Sequence, residues 1–145
     1  MVTHVLPSKR GADTAAETEM RWILESSYFA GKGINSQVVI KTRFRDYPFI
    51  ADFVLGDKYV IEVHGNHKAK WHTHRRESKD HTKLECLLAE NYPVFEVIGT
   101  AAQIKKYQDQ VKEALLEHII YNRKYTLLDL ELYGLNGWVT HAEPQ

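Results

Sequence analysis

Apolar residues recur along this chain with two different periods, which predict helices and strands in a definite order. Helical spacing predicts helices over residues 14–29, over residues 79–91 and from residue 100 onward; the first and last begin with capping-box sequences. Apolar runs predict four strands, over residues 37–44, 49–55, 59–64 and 93–98. The predicted fold class is therefore α/β, a mixed central sheet flanked by helices in the order α-β-β-β-α-β-α.

Length, charge and cysteine content limit the class of protein. The 145 residues suit one domain, with residues 1–13 as a loose leader and residues 126–145 as a C-terminal extension. With 19 basic and 19 acidic residues, the chain lacks the overall positive bias of many non-specific nucleic-acid binders. The single cysteine, Cys86, excludes an internal disulfide and fits an intracellular, cytoplasmic setting. No apolar run reaches the roughly 20 residues that span a membrane, so no membrane partner is expected.

Basic residues concentrate between His64 and Lys83, although the whole chain is neutral. The cations of this basic strip are Lys68, Lys70, Arg75, Arg76, Lys79 and Lys83. Few acids accompany them, so the strip is a candidate DNA-binding surface that contacts phosphates. Charge alone fits a solvated loop and helix start equally well.

Two carboxylates interrupt strands that are otherwise apolar. Asp52 lies within the second predicted strand and Glu62 within the third. An unpaired carboxylate in a buried strand costs several kcal/mol, so each acid is expected to have a cation, a hydrogen-bond network or a metal as its partner. Salt bridges to Lys41 or Arg43 at the strand ends are the structural alternative.

The polar residues form an ordered signature across most of the chain. In sequence order they are Thr14-Ala15-Ala16-Glu17, Asp52, Glu62-Val63-His64-Gly65, Trp71-His72, Asp80 and Asn91-Tyr92-Pro93-Val94. This set resembles the PD-(D/E)-x-K nuclease fold, in the branch similar to very short patch repair (Vsr-like) endonucleases and EDxHD homing endonucleases. The resemblance implies a restriction-endonuclease-like fold and a metal-dependent DNA endonuclease, with residues 1–145 as one catalytic domain.

The chain departs from that family pattern at three places. Residue 64 is His where Lys or Asp is usual, and the link from Gly65 to Trp71 is longer than usual. One cysteine cannot supply the structural zinc site of the patch-repair enzymes. The homing-type branch is therefore the favoured resemblance.

The resemblance also implies a set of site residues. Its catalytic candidates are Glu17, Asp52, Glu62, His64, His72 and Asp80. Asp52 and Glu62 would hold Mg²⁺ or Mn²⁺, because hard cations prefer carboxylate oxygens and activate water for phosphodiester hydrolysis. His64 or His72 would orient or deprotonate the attacking water, with His67 as a rival to His72.

Other interpretations of these residues remain open. Glu17 also completes a capping box with Thr14, and Asp80 is also an acid in the first turn of a helix, where it is favourable. A scaffold with a damaged site would be a catalytically inactive binding module for nucleic acid or protein, which the apolar C-terminal segment would suit. A Holliday-junction or RNA-processing nuclease of the same fold would use similar residues.

The expected partner is double-stranded DNA. The sequence has no zinc finger, homeodomain-like helix pair or arginine-rich arm, so sequence recognition is expected from a separate domain or a partner. Double-strand cutting by one small site would require a homodimer or two successive nicks.

The metal-site hypothesis makes a geometric prediction about the second and third strands. Asp52 and Glu62 share a sheet face if they pair directly, which sets Leu55 opposite Tyr59 and leaves residues 56–58 as the connection. A two-residue turn would send the acids to opposite faces unless a bulge intervened. We therefore expect a three-residue or bulged connection.

Overall fold

Helices and strands alternate along the chain in an order close to the predicted one. The computed structural model describes residues 2–5, 14–26, 29, 31–65, 74–131 and 139–141, with the backbone alone at residues 2–5, 74–81 and 139–141. Its strands are β1 (Val2–Val5), β2 (Ile34–Lys41), β3 (Phe49–Leu55), β4 (Tyr59–His64), β5 (Val94–Ile98), β6 (Tyr125–Asp129) and β7 (Val139–His141). Its helices are α1 (Ala15–Leu24), α2 (His74–Ala89), α3 (Ala101–Lys106) and α4 (Gln108–Ile120).

The seven described strands form one mixed sheet in the order β1-β2-β3-β4-β5-β6-β7. Strands β4, β5 and β6 run parallel, and the other neighbours are antiparallel. The parallel connections pass through helices, as such crossovers require. The mixed α/β class is confirmed, and so is the predicted element order between residues 14 and 120, with α3 and α4 in place of one helix.

Two terminal segments contribute strands to this sheet. Residues 1–13, expected to be a loose leader, include β1, which pairs with β2. Residues 126–145, expected to be an extension, include most of β6, which pairs with β5. Leu128 and Leu130 are buried, so these two apolar residues build the core rather than a surface for partners. Strands of three to five residues are too short for their alternation to identify them reliably.

Several element boundaries differ from the predictions. Helix α1 has the predicted capping box but ends at Leu24 rather than near Phe29. Helix α2 begins at His74, five residues earlier than predicted, and the long C-terminal helix is broken at Tyr107, where ψ is 26°. The apolar residues Ile104, Val111 and Leu115 are nevertheless buried on the two sides of the break. No helix in the described parts of the chain is long and apolar enough to cross a membrane.

Each face of the sheet is covered by helices and has its own cluster of buried side chains. Helices α1, α3 and α4 cover the face that we call the α1 face, where the buried residues include Met20, Leu24, Phe53, Phe95, Ile104 and Leu115. Helix α2 covers the α2 face, where the buried residues include Val38, Val54, Val60, Leu87 and Val94. Adjacent residues of β4 and β5 alternate between these clusters, as the pleat requires.

The regular alternation of side chains between the two faces of the sheet is interrupted at one position of β2 and β3, next to the candidate site. Ala51 is buried on the α2 face, whereas Phe53 is buried on the α1 face. A regular strand keeps residues two apart on the same face, so the irregularity lies at Asp52. The register places Gln37 opposite Asp52, and Gln37 has a φ of 51°. This local distortion of both strands gives Asp52 a setting that the alternation alone does not predict.

Candidate active site

Strands β3 and β4 pair in the register that the metal-site hypothesis requires. Leu55 lies opposite Tyr59, so residues 56–58 form a three-residue connection. The expected three-residue connection is confirmed. The same register brings Asp52 and Glu62 to corresponding positions on the two strands.

The backbone ladder between β3 and β4 ends just before this pair of acids. There, each carboxylate accepts a hydrogen bond from the opposite strand: Glu62 Oε2 from the Asp52 N–H at 2.8 Å, and Asp52 Oδ2 from the Val63 N–H at 2.7 Å. Both acids are buried. Two carboxylates thus take the place of backbone carbonyls as acceptors, which holds them in fixed positions beside each other.

Lys83 of helix α2 brings an ammonium group to this site. Its Nζ contacts Glu62 Oε1 and donates a hydrogen bond to the Ile50 carbonyl at 2.7 Å. Burial raises the pKa of Glu62, and the negative charge of Asp52 raises it further, while Lys83 opposes both effects. The ammonium therefore offsets part of the cost of charging this buried carboxyl group.

A second ionisable pair, His64 of β4 and Glu96 of β5, lies on the same face of the sheet. Glu96 is the register neighbour of Glu62, and its Oε2 lies 2.6 Å from His64 Nε2. Burial alone would raise the pKa of Glu96, but the hydrogen bond from His64, the charge that His64 carries when it is protonated, and the Tyr125 hydroxyl hold it below its ordinary value. Because Glu96 is ionised, it accepts the bond, and His64 Nε2 carries the donated proton.

The two pairs share a small cavity. It measures about 10 Å³ and is lined by Glu62, His64, Lys83, Leu84, Leu87, Val94 and Glu96. That volume suits one water molecule or one ion rather than an organic cofactor. The cavity therefore joins the carboxylate site to the histidine pair.

Three carboxyl groups, those of Asp52, Glu62 and Glu96, gather at this site together with the amine of Lys83. Carboxylate oxygens are the ligands that hard divalent cations prefer. Among the described side chains, no group of three or more His, Cys, Asp and Glu residues converges on one metal position. Mg²⁺ nevertheless binds through one or two carboxylates and keeps several waters, so Asp52 and Glu62 fit its requirements.

The other predicted catalytic residues do not all join this cluster. Glu17 lies on α1, on the opposite face, where its Oε1 accepts a hydrogen bond from the Thr14 N–H at 3.0 Å. The capping-box interpretation of Glu17 is thus confirmed, and its catalytic role stays a prediction. Asp80 lies in α2, in the part described by its backbone alone, and His72 and its rival His67 lie outside the described residues.

The basic strip is only partly described. Lys68 and Lys70 lie outside the described residues, and Arg75, Arg76 and Lys79 lie in α2 where only the backbone is described. Lys83 contacts Glu62 and is partly buried, so it belongs to the carboxylate site. Its predicted contact with DNA phosphate stays a prediction.

The alternative prediction, in which Lys41 or Arg43 forms salt bridges with Asp52 and Glu62, named the wrong cations. Arg43 pairs with Glu90, its Nε lying 2.8 Å from Glu90 Oε1. The amine of Lys41 donates to the Asp46 carbonyl at 3.5 Å. Glu62 takes its cation from helix α2, a choice that the order of the strands could not reveal.

The sequence prediction missed Glu96 and Tyr125. Glu96 interrupts the apolar strand β5 just as Glu62 interrupts β4, so the same pattern was available to identify it. Tyr125 opens a short strand whose remaining residues lie in the region assigned to the C-terminal extension. Its role follows only from the parallel pairing of β5 with β6.

Gly65, which ends the Glu-x-His-Gly signature, has a structural explanation. A Cβ at this position would overlap the Cβ of Ala16 on helix α1. Helix α1 therefore packs against the end of β4 at a distance that only glycine permits.

The known proteins give no relative from which residue roles can be transferred. No protein-family model matches the sequence, and neither the curated proteins nor the solved structures give a match.

Proposed function

We propose that this chain is a metal-dependent DNA endonuclease that hydrolyses phosphodiester bonds, similar to the PD-(D/E)-x-K nucleases and to their homing-type branch. The observation that carries the proposal is the group formed by Asp52, Glu62 and Lys83 at the end of the β3–β4 ladder. Burying two carboxylates beside each other opposes folding, so the arrangement calls for a function that uses their charge.

Asp52 and Glu62 would hold Mg²⁺ or Mn²⁺, aided by waters. When bound, the metal would supply an activated water and would stabilise charge on the phosphate. The family pattern places a Lys two residues after the Glu, where this chain has His64. Lys83 brings an ammonium to the same carboxylate from α2, and this supports the resemblance despite the departure at residue 64.

His64 is the candidate general base. Its Nε2–H is donated to Glu96, so Nδ1 is the basic nitrogen of the neutral ring. A proton taken from the attacking water at Nδ1 would give an imidazolium beside an ionised carboxylate, which stabilises it. Glu96 is then a positioning residue that fixes the ring and its tautomer.

Cleavage of supercoiled plasmid DNA with Mg²⁺, with Mn²⁺ or with EDTA tests the proposal. We expect cleavage only with metal, and a rate at least about 100-fold lower in Asp52→Asn and Glu62→Gln, because each removes a charge that acts on the transition state. Glu113→Gln, an exposed change on α4, is the matched control and should cleave normally. Circular dichroism should show that all three variants are folded.

Two results would overturn the proposal: no metal-dependent cleavage of any nucleic acid, or full activity in both site variants. Four-way junctions and single-stranded RNA belong in the same assay. Faster cleavage of either would replace duplex DNA as the substrate while keeping the same site.

A further inference from the structure

The loop between β2 and β3 presents two large aromatic side chains to solvent. Phe44 is 54% exposed and Tyr47 is 73% exposed. Trp22, Ile120 and Tyr121 are the other large apolar side chains that are strongly exposed in the described parts of the chain. Burying such rings favours a fold, so the exposure of two of them within four residues of one short loop needs an explanation.

Cations are interleaved with these rings. Lys41, Arg43 and Arg45 flank them, against one acid of the loop, Asp46. The guanidinium of Arg43 lies 5.4 Å from the centre of the Phe44 ring, which orients the arginine along the aromatic surface. Alternating rings and cations form a surface that suits a stacked base and its phosphate.

The loop is tied to the body of the protein. Both the backbone N–H and the Nε of Arg43 donate to Glu90 Oε1, at 3.2 and 2.8 Å, and Glu90 follows helix α2. Arg45 lies over the Phe49 ring, 4.6 Å from its centre, where β3 begins. These contacts anchor the loop at two points while leaving the Phe44 and Tyr47 rings exposed.

The loop also lies at the same end of the sheet as the candidate active site. It precedes β3, and Asp52 is the fourth residue of that strand, about 10 Å along it from Phe49 at roughly 3.3 Å per residue. His64 ends the neighbouring strand β4 at this end. A distance of about 10 Å is roughly three base steps of DNA, at about 3.4 Å per step.

We infer that residues 42–48 form a stacking platform for unpaired bases close to the scissile phosphate, with Phe44 and Tyr47 stacking on bases and Arg45 contacting phosphate. This inference rests on the proposed nuclease function and narrows its substrate to DNA with unpaired nucleotides beside the cleaved bond. Intact duplex keeps its bases stacked on each other and offers these rings no free base surface.

Binding by the cleavage-deficient Glu62→Gln protein tests the platform. Fluorescence anisotropy would compare a labelled duplex with the same duplex containing a three-nucleotide bulge. We expect about tenfold tighter binding of the bulged DNA, and loss of this preference in Phe44→Ala/Tyr47→Ala, because each base–ring stack contributes strongly to affinity. Phe44→Trp should keep the preference, since it keeps a ring at the same position.

Tyr121→Ala is the matched control. Tyr121 is exposed and has Arg123 over its ring at 5.3 Å, but it lies at the opposite end of the sheet, where β6 begins. It should leave the preference unchanged. Arg45→Gln should weaken binding to both DNAs equally and lower the salt dependence by about one phosphate contact.

The inference is overturned if the parent protein binds both DNAs equally, or if the Phe44→Ala/Tyr47→Ala protein keeps the preference. Bulge binding through this loop, without metal-dependent cleavage by the wild-type protein, would overturn the nuclease proposal and leave the platform standing. Cleavage without a bulge preference would overturn only the platform.

Discussion

The two faces of the sheet are built from the same strands but from different chemistry. On the α1 face, most buried side chains are apolar. The polar ones include Glu17, which is held in the capping box of α1, and the pair His118 and Thr126, which bond each other at 2.8 Å. On the α2 face, the apolar cluster gives way to Glu62, Glu96 and their partners. One face has the composition expected of a core, whereas the other keeps charges that a core does not need.

Within one strand, some residues on the α2 face stabilise the fold and others are better explained by function. Val60 and Val94 show that the α2 face can be packed with aliphatic side chains, yet two residues further along each strand the chain places a glutamate. Replacing a buried ion pair by apolar residues is often neutral or stabilising. The charges on the α2 face are therefore better explained by chemistry than by folding.

Substitutions of two neighbouring residues of β5, Phe95 and Glu96, test the difference between the two faces. They should give the largest effects. Phe95 is fully buried on the α1 face, and Phe95→Ala should lower the free energy of unfolding by about 3–5 kcal/mol through lost packing and a cavity. Glu96→Gln should cost much less stability but lower the cleavage rate about tenfold or more, because His64 loses its ionised partner. Urea denaturation and plasmid cleavage measure the two effects.

The proposed difference between the two faces is contradicted if Glu96→Gln lowers the free energy of unfolding as much as Phe95→Ala does and leaves the cleavage rate unchanged. Activity of Phe95→Ala must be measured at a temperature where the variant is folded. Under that condition its rate per folded molecule should match the wild type.

The Lys83–Glu62 pair gives the next largest effect. Lys83→Met should lower the free energy of unfolding by about 3 kcal/mol at neutral pH, because it leaves a buried carboxylate without its cation. This is the lower end of the usual range, since Lys83 keeps about one-fifth of its side chain exposed. Lys105→Met, an exposed change on α3, is the control.

The pH dependence of that loss follows from Glu62. Its pKa in the folded protein is above the ordinary value of 4.5, so ionised Glu62 opposes folding at pH values above that range. Without Lys83 the folded pKa of Glu62 rises further, so the deficit of Lys83→Met should shrink as the pH falls through the folded pKa values of Glu62 toward 4.5. Glu62→Gln in the same protein should remove most of the deficit, whereas an unchanged deficit would mean that Lys83 acts by packing alone.

Contacts between neighbouring strands of the site could be predicted from the sequence, whereas contacts from distant parts of the chain could not. The register of β3 and β4 was predicted by combining the strand period with the hypothesis that Asp52 and Glu62 share one face, and the observed pairing of Leu55 with Tyr59 agrees with it. Lys83 reaches Glu62 from a helix, and no spacing rule connects the two positions. The interrupted alternation opposite Gln37 needs a φ that is uncommon for this residue type, imposed by the sheet rather than by local preference.

The same reasoning explains the errors in the fold. Capping boxes act over three residues, and both were found where the sequence predicted them. The ends of helices and the short strands β1 and β7 depend on neighbours that lie far away in the chain, and these were missed. The sequence was therefore reliable for local chemistry and less so for long-range pairing.

Tyr125 gives the smallest expected effect and the sharpest test of the Glu96 network. Burial raises the pKa of the Tyr125 hydroxyl, and the charge of Glu96 raises it further, so the group stays a hydrogen-bond donor. Tyr125→Phe removes this donor and keeps the ring. We expect a loss of about 1 kcal/mol at neutral pH.

That loss should also shrink as the pH falls, although the pKa of Glu96 is lowered in the folded protein whereas the pKa of Glu62 is raised. The pKa of Glu96 is depressed in the folded protein, so its interactions stabilise the fold above the ordinary pKa, and this contribution disappears as the pH falls through the folded value. Tyr125→Phe brings the pKa of Glu96 back toward normal, so the variant and the wild type should converge in acid. Urea denaturation from neutral pH to about pH 3 measures this, with the exposed Tyr121→Phe as control. A deficit of equal size at every pH would show that Tyr125 contributes packing and does not act on the charge of Glu96.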